Sequence, residues 1–235
     1  MIAKHFSSQF ENELHVVSAR LTELERQVDT QISRIIEALT HADAAGANHV
    51  LAAEAEVNAL EIDIDHEITS IIAKRQPVAR DLRLLMAISK VAGNLERVDM
   101  ETDRMAHQVL KLVRGAASYV LPSQELCAAA DFATGQLRKA LDAFSRLDLV
   151  AAEALAVMKR DDTGYQDVQA LVRKLIDLMI ESPKMISYCV ELIYMTKSLE
   201  LVLDNARHIA EQVIYVVQGT DVRHTPIEQV EPLAS

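Results

Sequence analysis

The chain has 235 residues, half of them hydrophobic, with six glycines, five prolines, no tryptophan and a formal charge of −11. So few turn-formers argue against all-β and loop-rich folds and leave long helices packed through Leu, Ile, Val, Met and Ala. The acidity and the absence of a basic cluster argue against direct nucleic-acid binding and favour cations or a basic partner surface.

Punctuation divides the chain into six helical runs. The first spans roughly Ser7 to Leu39 and stops at Thr40-His41-Ala42-Asp43; the second extends from about Ala44 to Arg75. Pro77 suits the first turn of a third helix, where its missing N–H costs nothing. That helix continues to about Arg114, and Gly115 is expected to supply a left-handed cap. Pro122-Ser123 opens a fourth helix ending near Leu147, and the fifth covers about Leu149 to Glu181. Ser182-Pro183 repeats the cap-plus-proline signal ahead of a sixth helix ending at Gly219. The tail after Asp221 carries Pro226 and Pro232 and is expected to be disordered.

The landmarks recur at nearly one separation: Asp43 and Asp148 are 105 residues apart, Pro77 and Pro183 106, and both Glu96/Glu200 and Gly115/Gly219 104. Four matches in the same order indicate an internal duplication of a helix–helix–helix unit. The expected organisation is all-α: a first three-helix repeat over 1–117, a second over 118–220 and a tail over 221–235. The third and sixth helices, at about 1.5 Å per residue, reach roughly 55 Å. In the sixth, Leu199, Val202, Leu203, Ala206, Ile209, Ala210, Val213 and Val217 form one apolar stripe. Long helices joined by short turns pack antiparallel, giving two bundles in one elongated body.

Beside that apolar stripe runs an acidic one, Glu200, Asp204, His208 and Glu211, at i, i+4, i+8 and i+11. Like charges at i and i+4 repel unless a cation or basic partner offsets them, although Arg207 also allows an ordinary solvated face. On the third helix Glu96, Asp99 and Asp103 share a face, with Glu101 to the side and Arg97 and Arg104 nearby as balancing charges. Carboxylates gathered from neighbouring helices suit hard or borderline cations. His66 follows Asp63 by three, but no Glu-x-x-His on another helix completes a di-iron site, so it reads as a surface histidine. Met86, Met158, Met179, Met185 and Met195 fall among apolar residues and read as core filler. Cys127 and Cys189 form no paired motif and read as small buried hydrophobes in a reducing compartment. No apolar signal core opens the chain and no 18-residue apolar run occurs, which predicts a cytoplasmic protein.

Residues 53–106 contain Val57-Asn58-Ala59-Leu60-Glu61, Gln76-Pro77-Val78-Ala79-Arg80-Asp81-Leu82-Arg83 and Leu95-Glu96-Arg97. The second half contains Glu181-Ser182-Pro183 and SLELVLDNARHIAEQVIYVVQGTDVRH. This pattern, covering essentially the whole chain, resembles the PhoU family of phosphate-signalling regulators. The resemblance implies a non-enzymatic cytoplasmic regulator that keeps the phosphate-starvation response off. It would act between the ATPase subunit of a phosphate ABC transporter and a sensor histidine kinase, meeting the membrane only through partners; the long amphipathic helices separately lead to the expectation of a homodimer. It also implies metal ions (iron, manganese, magnesium or zinc) on E/D-x-x-x-D motifs.

Carried over by position, the family's acidic pair is Glu200 and Asp204, with His208 where the family has asparagine. In the first repeat Glu96 matches, but Met100 replaces the aspartate and Asp99 the glycine, so Asp99 and Asp103 form a pair in shifted register. Glu54 matches while its partner position is Asn58; Asp161 matches while its partner position is Tyr165. These departures lead to the expectation of an intact second site and a degraded first one. A metal-storage or metal-sensing bundle without phosphate signalling is the alternative. A metal oxidase or hydrolase lacks the paired Glu-x-x-His, nucleophile–base or glycine-rich phosphate signatures it requires.

Overall fold

A computed structural model describes residues 2–115, 124–156 and 163–222. The described elements are helices: α1 (Ile2–His41), α2 (Ala44–Arg75), α3 (Ala79–Arg114), α4 (Gln124–Arg146), α5 (Leu149–Ala156), α6 (Thr163–Glu181) and α7 (Ile186–Gln218), with a 3-10 turn at Pro183–Met185. The single fifth run expected from sequence corresponds to α5 and α6; Met158, Asp161 and the tail beyond Val222 lie outside the described residues.

The turn between the first two helices of each repeat is built the same way twice. Ala42 takes the left-handed conformation (φ 52°), and the Asp43 N–H donates back to the Ala38 carbonyl at 2.8 Å. The Asp43 carboxylate then accepts from the Ala45 N–H at 2.9 Å, satisfying an otherwise unpaired donor at the start of α2. In the second repeat Leu147 (φ 51°) and the Asp148 N–H on the Ala143 carbonyl at 2.9 Å repeat the closure. The Asp148 carboxylate accepts from the Ala151 N–H at 3.1 Å. Backbone geometry thus reproduces the 105-residue spacing read from sequence.

Two expected helix ends differ. Gly219 is left-handed (φ 81°), but Gly115 caps α3 in the right-handed region (φ −67°), with its N–H on the Lys111 carbonyl. α3 begins at Ala79 and not at Pro77, because Val78 is extended and ends the link from the left-handed Gln76.

The most extensive packing joins α3 to α7, the long helix of each repeat; α1 and α2 lie against α3, and α4, α5 and α6 against α7. α3 buries Leu85, Ile88, Val91, Leu95 and Val98, and α7 buries Leu192, Met195, Leu199, Val202 and Leu203. Each fully buried Leu or Ile contributes about 1.5–3 kcal/mol, so the duplicated helices form the centre and not merely two halves in contact. The apolar stripe read on the sixth run is buried from Leu199 to Val213, with Val217 at the rim. Met195 is core, whereas Met86 is 40% exposed, a correction to its reading as filler. Glu101 crosses the α3–α7 interface: it is buried, accepts from the Ser198 hydroxyl at 2.8 Å and pairs with Arg104. Cys189 is buried and Cys127 half-buried, both free thiols. Among the described residues no helix is long and apolar enough to cross a membrane.

Candidate functional site

The antiparallel pairing of α2 and α3 sets one polar face of each helix against the other. On α2 the face is Glu54, Asn58, Glu61 and Asp65, spaced four, three and four apart, so that all lie along one side. On α3 it is Ser89, Glu96, Asp99 and Asp103. The Ser89 hydroxyl donates to the Asp65 carboxylate at 2.6 Å and pins one end of the register. At the other end Asp103 faces Glu54.

Four of the residues singled out in the sequence, Glu54, Glu96, Asp99 and Asp103, are therefore electrostatic neighbours. Asp99 is 2% exposed and Asp103 8%. Burial, and then the charges of Asp103, Glu54 and Glu96, push the Asp99 carboxyl from 3.8 to about 7. Burial, the Glu54 charge and a hydrogen bond shared with Glu54 push Asp103 to about 6. Glu61 is raised for the same reasons, burial first, then Asp65 and Glu96. Oδ1 of Asp103 is buried with no hydrogen-bond partner, and a buried acceptor left so costs about 1–3 kcal/mol.

The solvated-face reading of α3 assumed that Arg97 and Arg104 balance these acids. Arg104 instead pairs with Glu101, and the charged neighbours that shift Asp99 and Asp103 are acids. Glu61 and Asp65 were not singled out in the sequence, although their spacing from Glu54 held the signal.

The second repeat differs. Glu200 is held by the Lys197 ammonium at 2.9 Å and 3.0 Å. Asp204 has the Arg207 guanidinium at 3.9 Å, and His208 is half-buried one turn further along α7. Here the acids have basic neighbours on their own helix. Asp161, expected to complete this site, lies outside the described residues.

The metal that the resemblance implies can be tested against these donors. The first-repeat face has the donor chemistry a cation wants without the convergence: its oxygens are hard, its neighbouring charges are alike and Asp103 holds an orphaned acceptor. Among the described residues no three His, Cys, Asp or Glu side chains converge closely enough to hold one ion. The face is thus an anionic field with Glu54 exposed at one end, and not a finished coordination sphere.

Comparison with known proteins finds similarity over the whole chain. A family model described as the PhoU domain matches twice, over residues 21–109 and 126–213. A Burkholderia sp protein named "Phosphate-specific transport system accessory protein PhoU homolog" is 42% identical over 98% of this chain and 97% of its own length. The Escherichia coli K12 protein named "Phosphate-specific transport system accessory protein PhoU" is 32% identical over 98% of this chain and 94% of its own. The crystal structure of PhoU from Pseudomonas aeruginosa superposes with a TM-score of 0.80 at 34% identity, covering 90% of this chain and all of that one. A Streptococcus pneumoniae phosphate transport regulatory protein shares the fold at a TM-score of 0.82 and 23% identity.

Proposed function

The chain belongs to the PhoU family, and from that premise we propose that it is an accessory regulator of phosphate transport that performs no catalysis of its own. Its role is that of a cytoplasmic adaptor, acting as a homodimer between the ATPase subunit of a phosphate ABC transporter and a sensor histidine kinase. It holds the phosphate-starvation response off when phosphate is plentiful. The observation that carries this reading is full-length similarity to proteins named for that transport system, at up to 42% identity. Rigid, long helical faces around a buried α3–α7 centre suit an adaptor, because they present a surface that needs no ordering on binding.

Deleting the gene tests the reading. Phosphate-starvation genes should be expressed in phosphate-replete medium, and the tagged protein should retain the transporter ATPase and the kinase on co-purification. Normal repression in the deletion strain would refute it.

A second reading, favoured by the neighbouring carboxylates of the α2–α3 face, adds a structural cation. Glu54, Glu96, Asp99 and Asp103 would have to draw together to hold it, and it would supply positive charge beside the buried Asp99 and Asp103. Metal analysis of protein purified without chelators, beside Asp103→Asn, tests this. Equal metal content in the two proteins would remove the site.

A further inference from the structure

We propose that the outer face formed by the second half of α6 and the start of α7 docks a second copy of this chain, the two copies meeting antiparallel across a two-fold axis. This assigns a face to the homodimer of the proposed function, on which it rests.

α6 is more apolar than its place in the bundle requires. Val168, Leu171 and Leu175 face the core, and Lys174 on one flank reaches Glu125 of α4. On the opposite flank the apolar surface continues through half-buried Val172 and Met179 to Ile176 and Ile180, and Ile180 is 75% exposed. At about 100° per residue the apolar arc from Leu178 to Ile180 spans roughly 200°, about twice what a helix packed on one side needs. The turn at Pro183–Met185 folds α7 back beside α6, where Ile186, half-buried Val190 and 55%-exposed Tyr194 lengthen the same surface. The first repeat serves as an internal control. Ile64 and Ile68 of α2 are core as Leu171 and Leu175 of α6 are, an offset of 107 residues. At that offset Asp65, Thr69 and Ala73 stand where α6 has Val172, Ile176 and Ile180. The fold therefore accepts polar and small residues at these positions, and their apolar character in α6 serves something outside the bundle.

Charge identifies what covers it. Arg173, Asp177 and Glu181 follow one another at i, i+4 and i+8 along the rim of the patch, and all three are exposed. Among the described residues none of the three side chains has an ion-pair or hydrogen-bond partner. An arginine set N-terminal to an acid is the poorer order for a pair within one helix. Two α6 helices packed antiparallel bring this rim against itself with its direction reversed. With Ile176 on the two-fold axis, Ile180 of one copy meets Val172 of the other, and Arg173 of one lies midway between Asp177 and Glu181 of the other. The apolar and the charged residues are thus self-complementary in a single register. An anionic lipid surface would be repelled by Asp177 and Glu181, and a basic partner by Arg173.

Sedimentation equilibrium of the full-length protein tests this, with circular dichroism to establish that each variant is folded. Wild type should be a dimer. Ile180→Glu places a charge at an already exposed position, so it should keep the helical signal while weakening dimerisation roughly ten-fold or more. Arg173→Glu should weaken self-association, and so should Asp177→Arg/Glu181→Arg, because each leaves a rim of one sign. Mixed together, those two variants should form a heterodimer tighter than either homodimer. A dimer that both charge variants weaken but whose mixture shows no such preference would overturn the antiparallel register. A dimer untouched by Ile180→Glu and by both charge variants would overturn the face and leave the homodimer reading standing. A wild type that stays monomeric would overturn both. If Ile180→Glu then lost the transporter ATPase or the kinase on co-purification, the face would belong to that partner. The regulator reading answers separately to the deletion strain.

Discussion

Glu25 offers the sharpest test of the electrostatics. It sits on α1 between the fully buried Leu24 and Val28, and no cation among the described residues answers it. Burial alone pushes its carboxyl from 4.5 to about 7. A group whose folded pKa lies above its unfolded one favours the folded state most while protonated, below about pH 4.5. It loses that contribution as pH rises through 7. At about 1.4 kcal/mol per pH unit, ionised Glu25 costs the fold on the order of 3 kcal/mol above pH 8, and partial water access reduces this to about 2 kcal/mol. Glu25→Gln keeps the shape and removes the charge, so it should stabilise at pH 8 by about 1–2 kcal/mol, raising the midpoint by about 2–8 °C. At pH 4.5 the two proteins should melt together. Urea unfolding across pH 4.5–8.5 gives the difference directly. A pH-independent gap between Glu25→Gln and wild type would refute the reasoning, because it would trace to packing and not to ionisation.

Four further substitutions have outcomes set by local contacts. Ser198→Ala leaves buried Glu101 without its hydroxyl donor across the α3–α7 interface, and should cost about 1–3 kcal/mol in urea unfolding. A Cβ at Gly46 would meet Oδ2 of Asp43 at 2.8 Å and Cβ of Ala38 at 3.2 Å, whereas one at Gly135 meets nothing within 4 Å. Gly46→Ala should therefore destabilise by about 1–2 kcal/mol, and Gly135→Ala should stabilise by about 0.5–1 kcal/mol; equal melting midpoints would contradict the turn geometry. Arg75 grips Glu13 with two hydrogen bonds of 2.8 Å, and that hydrogen bonding holds the Glu13 carboxyl below its usual range. A depressed carboxylate stabilises above its unfolded pKa and fades as pH falls, so Arg75→Met should lose more stability at pH 7 than at pH 3.

The sequence disclosed most of the fold because its signals are local. Asp43 and Asp148, Pro77 and Pro183, and Gly115 and Gly219 mark helix ends through the backbone near them, and their common spacing exposed the duplication. The misjudged ends, Pro77 and Gly115, fell where a neighbour decided: extended Val78 delays α3, and Gly115 needs no left-handed turn.

The acidic residues were legible in the sequence, but not which of them face one another across two helices. Motif matching ranks Glu200/Asp204 above Asp99/Asp103, since it counts identities along one helix. The sequence by itself determined that the chain is helical, duplicated, acidic and PhoU-like, because periodicity, caps and spacing are properties of a single strand of residues. Only the tertiary structure decided which acids lack a counter-charge. Net field at a carboxylate depends on what stands within a few ångströms: α2 brings Glu54 to Asp103, whereas on α7 Lys197 stands beside Glu200 and Arg207 beside Asp204.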